Sequence, residues 1–376
     1  MLEKKKSEYN FINSLSIQNF RNHESLELTT KSQSVIIHGK NGVGKTSILE
    51  ALSIFSNSRG LRNSKLIDMT KIDQDMFCVT VNIETKNNII VELKSTYSKS
   101  QKIRKVYING KEKKGFIKTT KVFPMLWITP YDEKVFKGPG ASKRAFLDRI
   151  VSYFDEYHAG RINDYNKLLQ QRVKVLKENR ESAEWLDALE DQLSKLAVSI
   201  CYSRIDILSK LSIFLKQKLP GLPSIQLEFV NSIENYLLEK PAIKIEEDLK
   251  IKYLESRKLD LIMGGSLYGC HKTEIIFFNL EKNISADMCS SGEQKLLLIS
   301  IILACAKAIK KSTEIPPIML LDEIFTHLDS IKKSYLFNEL ISLGSQIWIT
   351  STETDNFLKK CDNVYYYDLK IEKNSK

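Results

Sequence analysis

Gly39, Lys40, Asn41, Gly42, Val43, Gly44, Lys45 and Thr46 follow the spacing GxxxxGK[ST]. Glycines so placed let backbone N–H groups curl around phosphate oxygens more closely than any side chain would permit. Lys45 is positioned to reach the β- and γ-phosphates of a nucleoside triphosphate, and Thr46 to hold Mg²⁺. A second segment, Ile318 to Leu321, is wholly apolar and ends in Asp322 and Glu323. A buried parallel strand presents a carboxylate at its C-terminal edge in this way. Alone, such a run is often a mere strand end. Paired with a phosphate loop, it makes Asp322 a water-mediated Mg²⁺ ligand and Glu323 the general base that polarises an attacking water, with Lys45 the catalytic cation.

Ser290, Ser291, Gly292, Glu293 and Gln294 open a helical run from Leu296 to Ile309. One reading is a plain N-cap, with serine at the cap and glutamate in the first turn. The other is a resemblance to the signature motif of ABC ATPases, in which serine and glycine at a helix N-terminus meet the γ-phosphate of ATP held by another protomer. The 28 residues from Gln294 to Asp322 suit the second reading, which makes Ser290, Gly292 and Glu293 nucleotide contacts and ATP the cofactor. Ile324 to Asp329 resembles the ABC D-loop. Past the strand Gln346–Thr350, where many ABC proteins carry a switch histidine, stand Ser351, Thr352 and Glu353. His271 and His327 lie elsewhere and take no such role, and no Q-loop is recognisable.

These residues need elements to hold them. Leu15 and Ile17, then Leu26 and Leu28, alternate as two strands, and Val35 to Ile37 is a short buried strand entering Gly39. After Lys45 the period becomes helical, with Ile48, Leu49, Leu52 and Phe55 on one face. Residues 78 to 111 read as antiparallel strands with turns at Asn87-Asn88 and Asn109-Gly110. The second hairpin carries Arg104, Lys105, Lys111, Lys113 and Lys114, a basic tip that suits either a phosphate backbone or bulk solvent. From Ser142, a candidate cap, to residue 218 three helices follow. The third carries Leu189, Leu193, Leu196 and Ile200, too short a seam for a coiled coil and suited to bundle packing. Pro220 to Pro223 ends the block, and strand patterns return at Ile225, Leu227 and Phe229.

The 376 residues suffice for two domains, and 42% hydrophobic with 27% charged residues is ordinary for a globular protein. Neither a membrane span nor a secretory leader is evident, so a cytoplasmic protein without membrane association is expected. The six cysteines form no CxxC pair and read as scattered thiols. The net charge of +11 suits a nucleic-acid partner, but 46 lysines against 11 arginines also fits coding bias.

Taken together, these segments resemble the RecF family of ABC-type ATPases. Ile17 to Asn22 looks like the family's N-terminal strand, and Arg59-Gly60-Leu61-Arg62 like its arginine-bearing segment. Pro130, Gly138 and the run Lys143, Arg144, Ala145, Phe146, Leu147, Asp148 follow a more specific pattern. The departures include Tyr131 for an acid, an inverted Pro139-Gly140, Lys143 for an arginine, Val173 after Gln171-Arg172, and Gly269 to Glu274, which keeps only glycine and histidine. Lys295 stands where the signature is usually followed by arginine. The resemblance implies an α/β fold: a P-loop ABC-type head with an antiparallel β lobe and an inserted helical lid domain. The expected division is head 1–130, helical insert 131–220 and head 221–376. It further implies an ATP-dependent homodimer on single- and double-stranded DNA at gaps or junctions, acting with RecR, and through RecR with RecO, to help RecA load, with slow ATP hydrolysis coupled to dissociation. Arg59, Arg62, Lys143, Arg144 and Arg172 are its candidate DNA contacts, each of which suits a salt-bridged or solvated residue as well. The rivals are an SMC-type clamp, which needs far longer arms, a transporter's nucleotide-binding subunit, and a non-catalytic DNA scaffold.

Overall fold

The computed structural model describes residues 10–56, 60–113, 123–178, 183–352 and 364–369. In chain order the first stretch holds β1 (Phe11–Phe20), β2 (His23–Thr29), β3 (Ser34–His38), α1 (Lys45–Ser53), α2 (Leu66–Met69), β4 (Met76–Glu84), β5 (Ile90–Ser98), β6 (Ile103–Ile108), β7 (Lys111–Lys113) and β8 (Met125–Ile128). The middle holds α3 (Gly140–Phe154), α4 (His158–Lys177), α5 (Ala183–Leu215), β9 (Ile225–Val230), α6 (Ile233–Leu237), α7 (Ala242–Met263), β10 (Glu274–Asn279) and β11 (Ile284–Ser285). The last holds α8 (Ser291–Thr313), β12 (Ile318–Asp322), α9 (Ser330–Ser342), β13 (Ile347–Ser351) and β14 (Val364–Asp368).

The chain divides into two compact units. The head comprises residues 1–133, 218–222 and 298–376, and the helical unit residues 134–217 and 223–297. The sequence reading gave everything from 221 onward to the head. The structure instead groups 223–297, with the signature segment, with the helices. The reason is strand pairing: β9, β10 and β11 form a three-stranded antiparallel sheet of their own and join neither head sheet.

Two sheets build the head. One is parallel, in the order β14-β3-β13-β12-β8; β8 and β12 are apolar and buried along nearly their whole length, as burial on both faces requires, while the edge strand β14 is partly exposed. Trp127 of β8 and Trp348 of β13 are fully buried in it. The other is antiparallel, in the order β2-β1-β4-β5-β6-β7, and shows the expected inside–outside alternation, clearest in β4. Asn109 (φ 48°) and Gly110 (φ 74°) make the tight turn between β6 and β7 that the Asn-Gly pair predicts. Gln346 ties the sheets together: its Oε1 accepts from the Ile12 N–H at 2.8 Å and its Nε2 donates to the Ile12 carbonyl at 2.9 Å.

In the helical unit α5 packs on α4 and α7 around Tyr165, Leu193, Ala197, Cys201 and Tyr253, so the short leucine seam serves a bundle. Helix α3 starts at Gly140 with Pro139 at its N-cap, three residues before the expected cap Ser142. The core also holds charge. Arg172 is fully buried and donates to Glu190 (2.8 Å), Asp260 (2.6 Å) and the Tyr253 carbonyl (2.8 Å). Arg204 bridges Asp148 and Glu234 at 2.8 and 2.9 Å. Burial alone would lower the Arg204 pKa, but the Asp148 carboxylate overrides it and holds the guanidinium charged. Removing one partner of a buried ion pair strands the other charge and costs about 3–5 kcal/mol. Arg172→Met should therefore destabilise the helical unit by about that amount in chemical denaturation, and a loss below about 1 kcal/mol would show that Glu190 and Asp260 find other partners.

Candidate nucleotide site and signature helix

The phosphate loop joins β3 to α1. Gly44 is the N-cap of α1 at φ 101°; no side chain caps the helix and its first turn carries no acid, so its positive end is left for an anion. A Cβ on Gly44 would lie 2.6 Å from Nε2 of His23. The β1–β2 turn braces this loop. The His23 Nε2–H donates to the Gly44 carbonyl at 3.0 Å, and Asn22 Nδ2 donates to that of Gly42 at 3.2 Å. Arg21 donates to both carboxylate oxygens of Glu50, at 2.8 and 2.6 Å, and Glu50 is fully buried on α1.

Lys45 is 5% exposed. Its Nζ donates to the carbonyls of Gly39 (2.7 Å) and Lys40 (3.0 Å). Burial pulls its pKa below that of an ordinary lysine, and the nearby carboxylates of Glu323 and Asp322 pull the other way. Within the loop Lys40, Asn41 and Gly42 are exposed and Val43 half-buried.

Thr46 and Asp322, 276 positions apart, meet directly. The Thr46 hydroxyl lies 2.9 and 3.1 Å from the two carboxylate oxygens. Both are hard oxygen donors, the type Mg²⁺ prefers. Among the described residues no group of three or more His, Cys, Asp or Glu could hold a metal ion. Mg²⁺ takes one or two protein oxygens and completes its shell with phosphates and water.

A residue that the sequence reading missed organises the acidic pair. Thr350 stands opposite Asp322 in the parallel β12–β13 register. Its hydroxyl donates to Asp322 Oδ1 at 2.7 Å and accepts from the Glu323 N–H at 2.9 Å. Glu323 leaves the strand at φ 51°, a region costly for a residue with a Cβ and tolerated where surrounding bonds over-determine it. Its signal in the sequence is a hydroxyl near the end of an apolar strand. The D-loop follows, with His327 at φ 64°, and its last residue, Asp329, N-caps α9 by accepting from the Lys332 N–H at 2.8 Å. Ser351 is the last residue of β13 and Thr352 follows it; Glu353 is outside the described residues.

The signature segment begins α8. The Ser290 N–H and hydroxyl donate to Glu293 Oε2 at 2.9 and 3.0 Å. The capping reading and the signature reading thus describe the same residues. Ser290, Ser291 and Gly292 are exposed, and a Cβ on Gly292 would meet nothing within 4 Å. The Glu293 carboxylate is engaged within its own unit, by Ser290 and by Lys282 Nζ.

The candidate DNA residues scatter. Arg172 is buried among acids and is corrected to a core ion pair. Arg144 donates to the Thr273 carbonyl at 2.9 Å, and Lys143 beside it is half-buried. Arg62 lies 3.4 Å from Glu50 and its side chain is 42% exposed. Arg104 turns inward to Ser95 and the Ile54 carbonyl, at 3.0 and 2.7 Å, while Lys111 and Lys113 are exposed. Arg59 and Lys114 lie outside the described residues.

A phosphate loop after one parallel strand, an acidic pair ending another and an exposed signature helix define an ABC-type ATPase. Residues 11–375 match the family model RecF/RecN/SMC N terminal domain. The DNA replication and repair protein RecF of Rickettsia prowazekii is 36% identical over 360 residues, covering 93% of this chain and 97% of that protein. Its counterpart in Rickettsia typhi is 35% identical with the same coverage. The chain belongs to the RecF family. Among solved structures, that of the recombination mediator protein RecF-ATPrS in the RecFOR pathway matches with a TM-score of 0.84 at 22% identity, covering 97% of this chain and 98% of that one. An Smc head domain from Pyrococcus furiosus matches at 0.52 and 16% identity, covering 96% of this chain and 94% of that one.

Replacing Thr350 by Val keeps its shape and removes both hydroxyl bonds. Outer partners of a metal-binding carboxylate are typically worth about 10–100-fold in activity. Thr350→Val should lower single-turnover ATP hydrolysis by roughly that factor while Mg²⁺-free ATP binding at the P-loop holds. Wild-type turnover would show that the Asp322–Glu323 pair is positioned without it.

Proposed function

We propose that this chain is an ATP-dependent DNA-binding clamp of the RecF type. Each protomer binds ATP with Gly39 to Thr46, and Thr46 and Asp322 hold the Mg²⁺ that neutralises charge on the phosphates. Ser290 and Gly292 of a second copy close the site over the γ-phosphate. Two ATPs sandwiched in this way join the heads. Glu323 orients and deprotonates the attacking water, and loss of the γ-phosphate removes the ligand that bridged the copies. Hydrolysis is thus a slow timer for dissociation.

The observation that carries this reading is the exposed Ser290–Gly292 edge at the N-terminus of a 23-residue helix. Its N–H groups are suited to phosphate, and nothing fills the space beside Gly292. The wider role, binding gapped or junction DNA in the cytoplasm and promoting RecA loading with RecR and RecO, rests on membership of the RecF family and on the RecFOR context of the matching structure. The alternative, an SMC-like or other ABC-type ATPase with no part in RecA loading, draws on the likeness to the Smc head.

Glu323→Gln should bind ATP without hydrolysing it. Light scattering of that variant should show monomer alone and dimer with Mg-ATP, and the added change Lys45→Ala should abolish the shift. A mass unmoved by ATP, with and without duplex DNA, would overturn the composite site.

A further inference from the structure

We propose that Lys282, on the turn between β10 and β11, is a positioning residue of the composite ATP site: it neutralises Glu293 and holds that carboxylate aside so that Ser290 can turn to the partner's γ-phosphate. This rests on the signature reading of Ser290 to Gln294 given above.

The reasoning begins with a conflict of charge. A carboxylate in the first turn of a helix is favourable when the helix end faces water. It becomes unfavourable when a polyanionic phosphate docks on the same helix end, because like charges a few ångströms apart repel and the approaching surfaces expel the water that screens them. Glu293 is in that position, one residue from Gly292 and bonded to Ser290. Its charge persists at every working pH: the Lys282 ammonium, with the Ser290 N–H and hydroxyl, pulls its pKa down to about 2. Protonation is therefore no way out, and a fixed countercharge is.

Lys282 supplies that countercharge, and its bonding is divided usefully. Lys282 Nζ holds Oε1 of Glu293, while the Ser290 N–H and hydroxyl share Oε2. If the hydroxyl swings to a phosphate, both carboxylate oxygens keep a partner, so no acceptor is orphaned by the movement. The lysine also comes from a built turn. Asn279, 3% exposed, accepts from the Glu281 and Lys282 N–H groups at 3.1 and 3.3 Å, and Asn283 closes the turn at φ 52°. A side chain on an anchored backbone spends less entropy to hold its geometry. Surface ion pairs ordinarily contribute little to stability, so the consequence of this one is expected in dimer closure rather than in folding.

The test uses the Glu323→Gln protein, titrated with Mg-ATP and followed by light scattering. Because a two-fold dimer contains the pair twice, Lys282→Ala should raise the ATP concentration for half-maximal dimer by roughly tenfold or more. Binding of a fluorescent ATP analogue to the monomer, at protein concentrations too low for dimer, should be unaltered. Adding Glu293→Gln should return the midpoint to within about twofold of the parent, since the charge needing compensation is gone. Unaltered dimerisation of Lys282→Ala, or a double variant no better than the single, overturns the proposal. Failure of the Glu323→Gln parent to dimerise, with or without DNA, overturns the signature reading and this inference with it.

Discussion

The Asp322 carboxylate is the point through which the head's catalytic geometry is fixed. It accepts from Thr46 at the start of α1 and from Thr350 at the end of β13, and it terminates β12 itself. Three stretches far apart in sequence are thereby brought to one set of oxygen atoms. The parallel sheet makes this possible: its register sets Asp322 beside Thr350, and β3 beside β13 delivers the phosphate loop at the same edge. The Glu323 backbone, bent to φ 51°, depends on the same hydroxyl. The bond that holds the bent Glu323 backbone thus shares its hydroxyl with the one that orients Asp322.

What could be read in the sequence was local. The phosphate loop, the acidic strand end and the Asn109-Gly110 turn each need only neighbouring residues to be recognised, and each stands where expected. The signature segment was legible in two ways because capping and phosphate contact use the same helix end. The allegiance of residues 223–297 was not legible, since alternation says that a strand exists but not which sheet it joins. Nor was the fate of single arginines. Arg172 and Arg204 look like any surface cation until Glu190, Asp260, Asp148 and Glu234 are brought beside them by a fold that spans many tens of residues.

That division of labour bears on the charge of the whole chain. Arg21, Arg62, Arg161, Arg172, Arg204 and Arg257 all pair with acids, and Arg104 and Arg144 donate to backbone carbonyls. The planar guanidinium, with its forked donors, suits fixed internal roles. Most of the arginines are thus committed inside the fold, and the lysines, 46 in number, favour diffuse attraction to a polyanion over base-specific contact.

The placement of β3 has a consequence for how the chain is made. Its neighbours in the sheet are β13 and β14, so the strand at residues 34–38 finds its first partner only at residues 347–351. At a synthesis rate of roughly 5–20 residues per second, that strand waits about 15–60 seconds on the ribosome before it can pair. The antiparallel sheet and the helical bundle need no such delay. The nascent chain carries the apolar centre of that strand, Val35 to Ile37, with the phosphate loop behind it, unpaired through that whole interval.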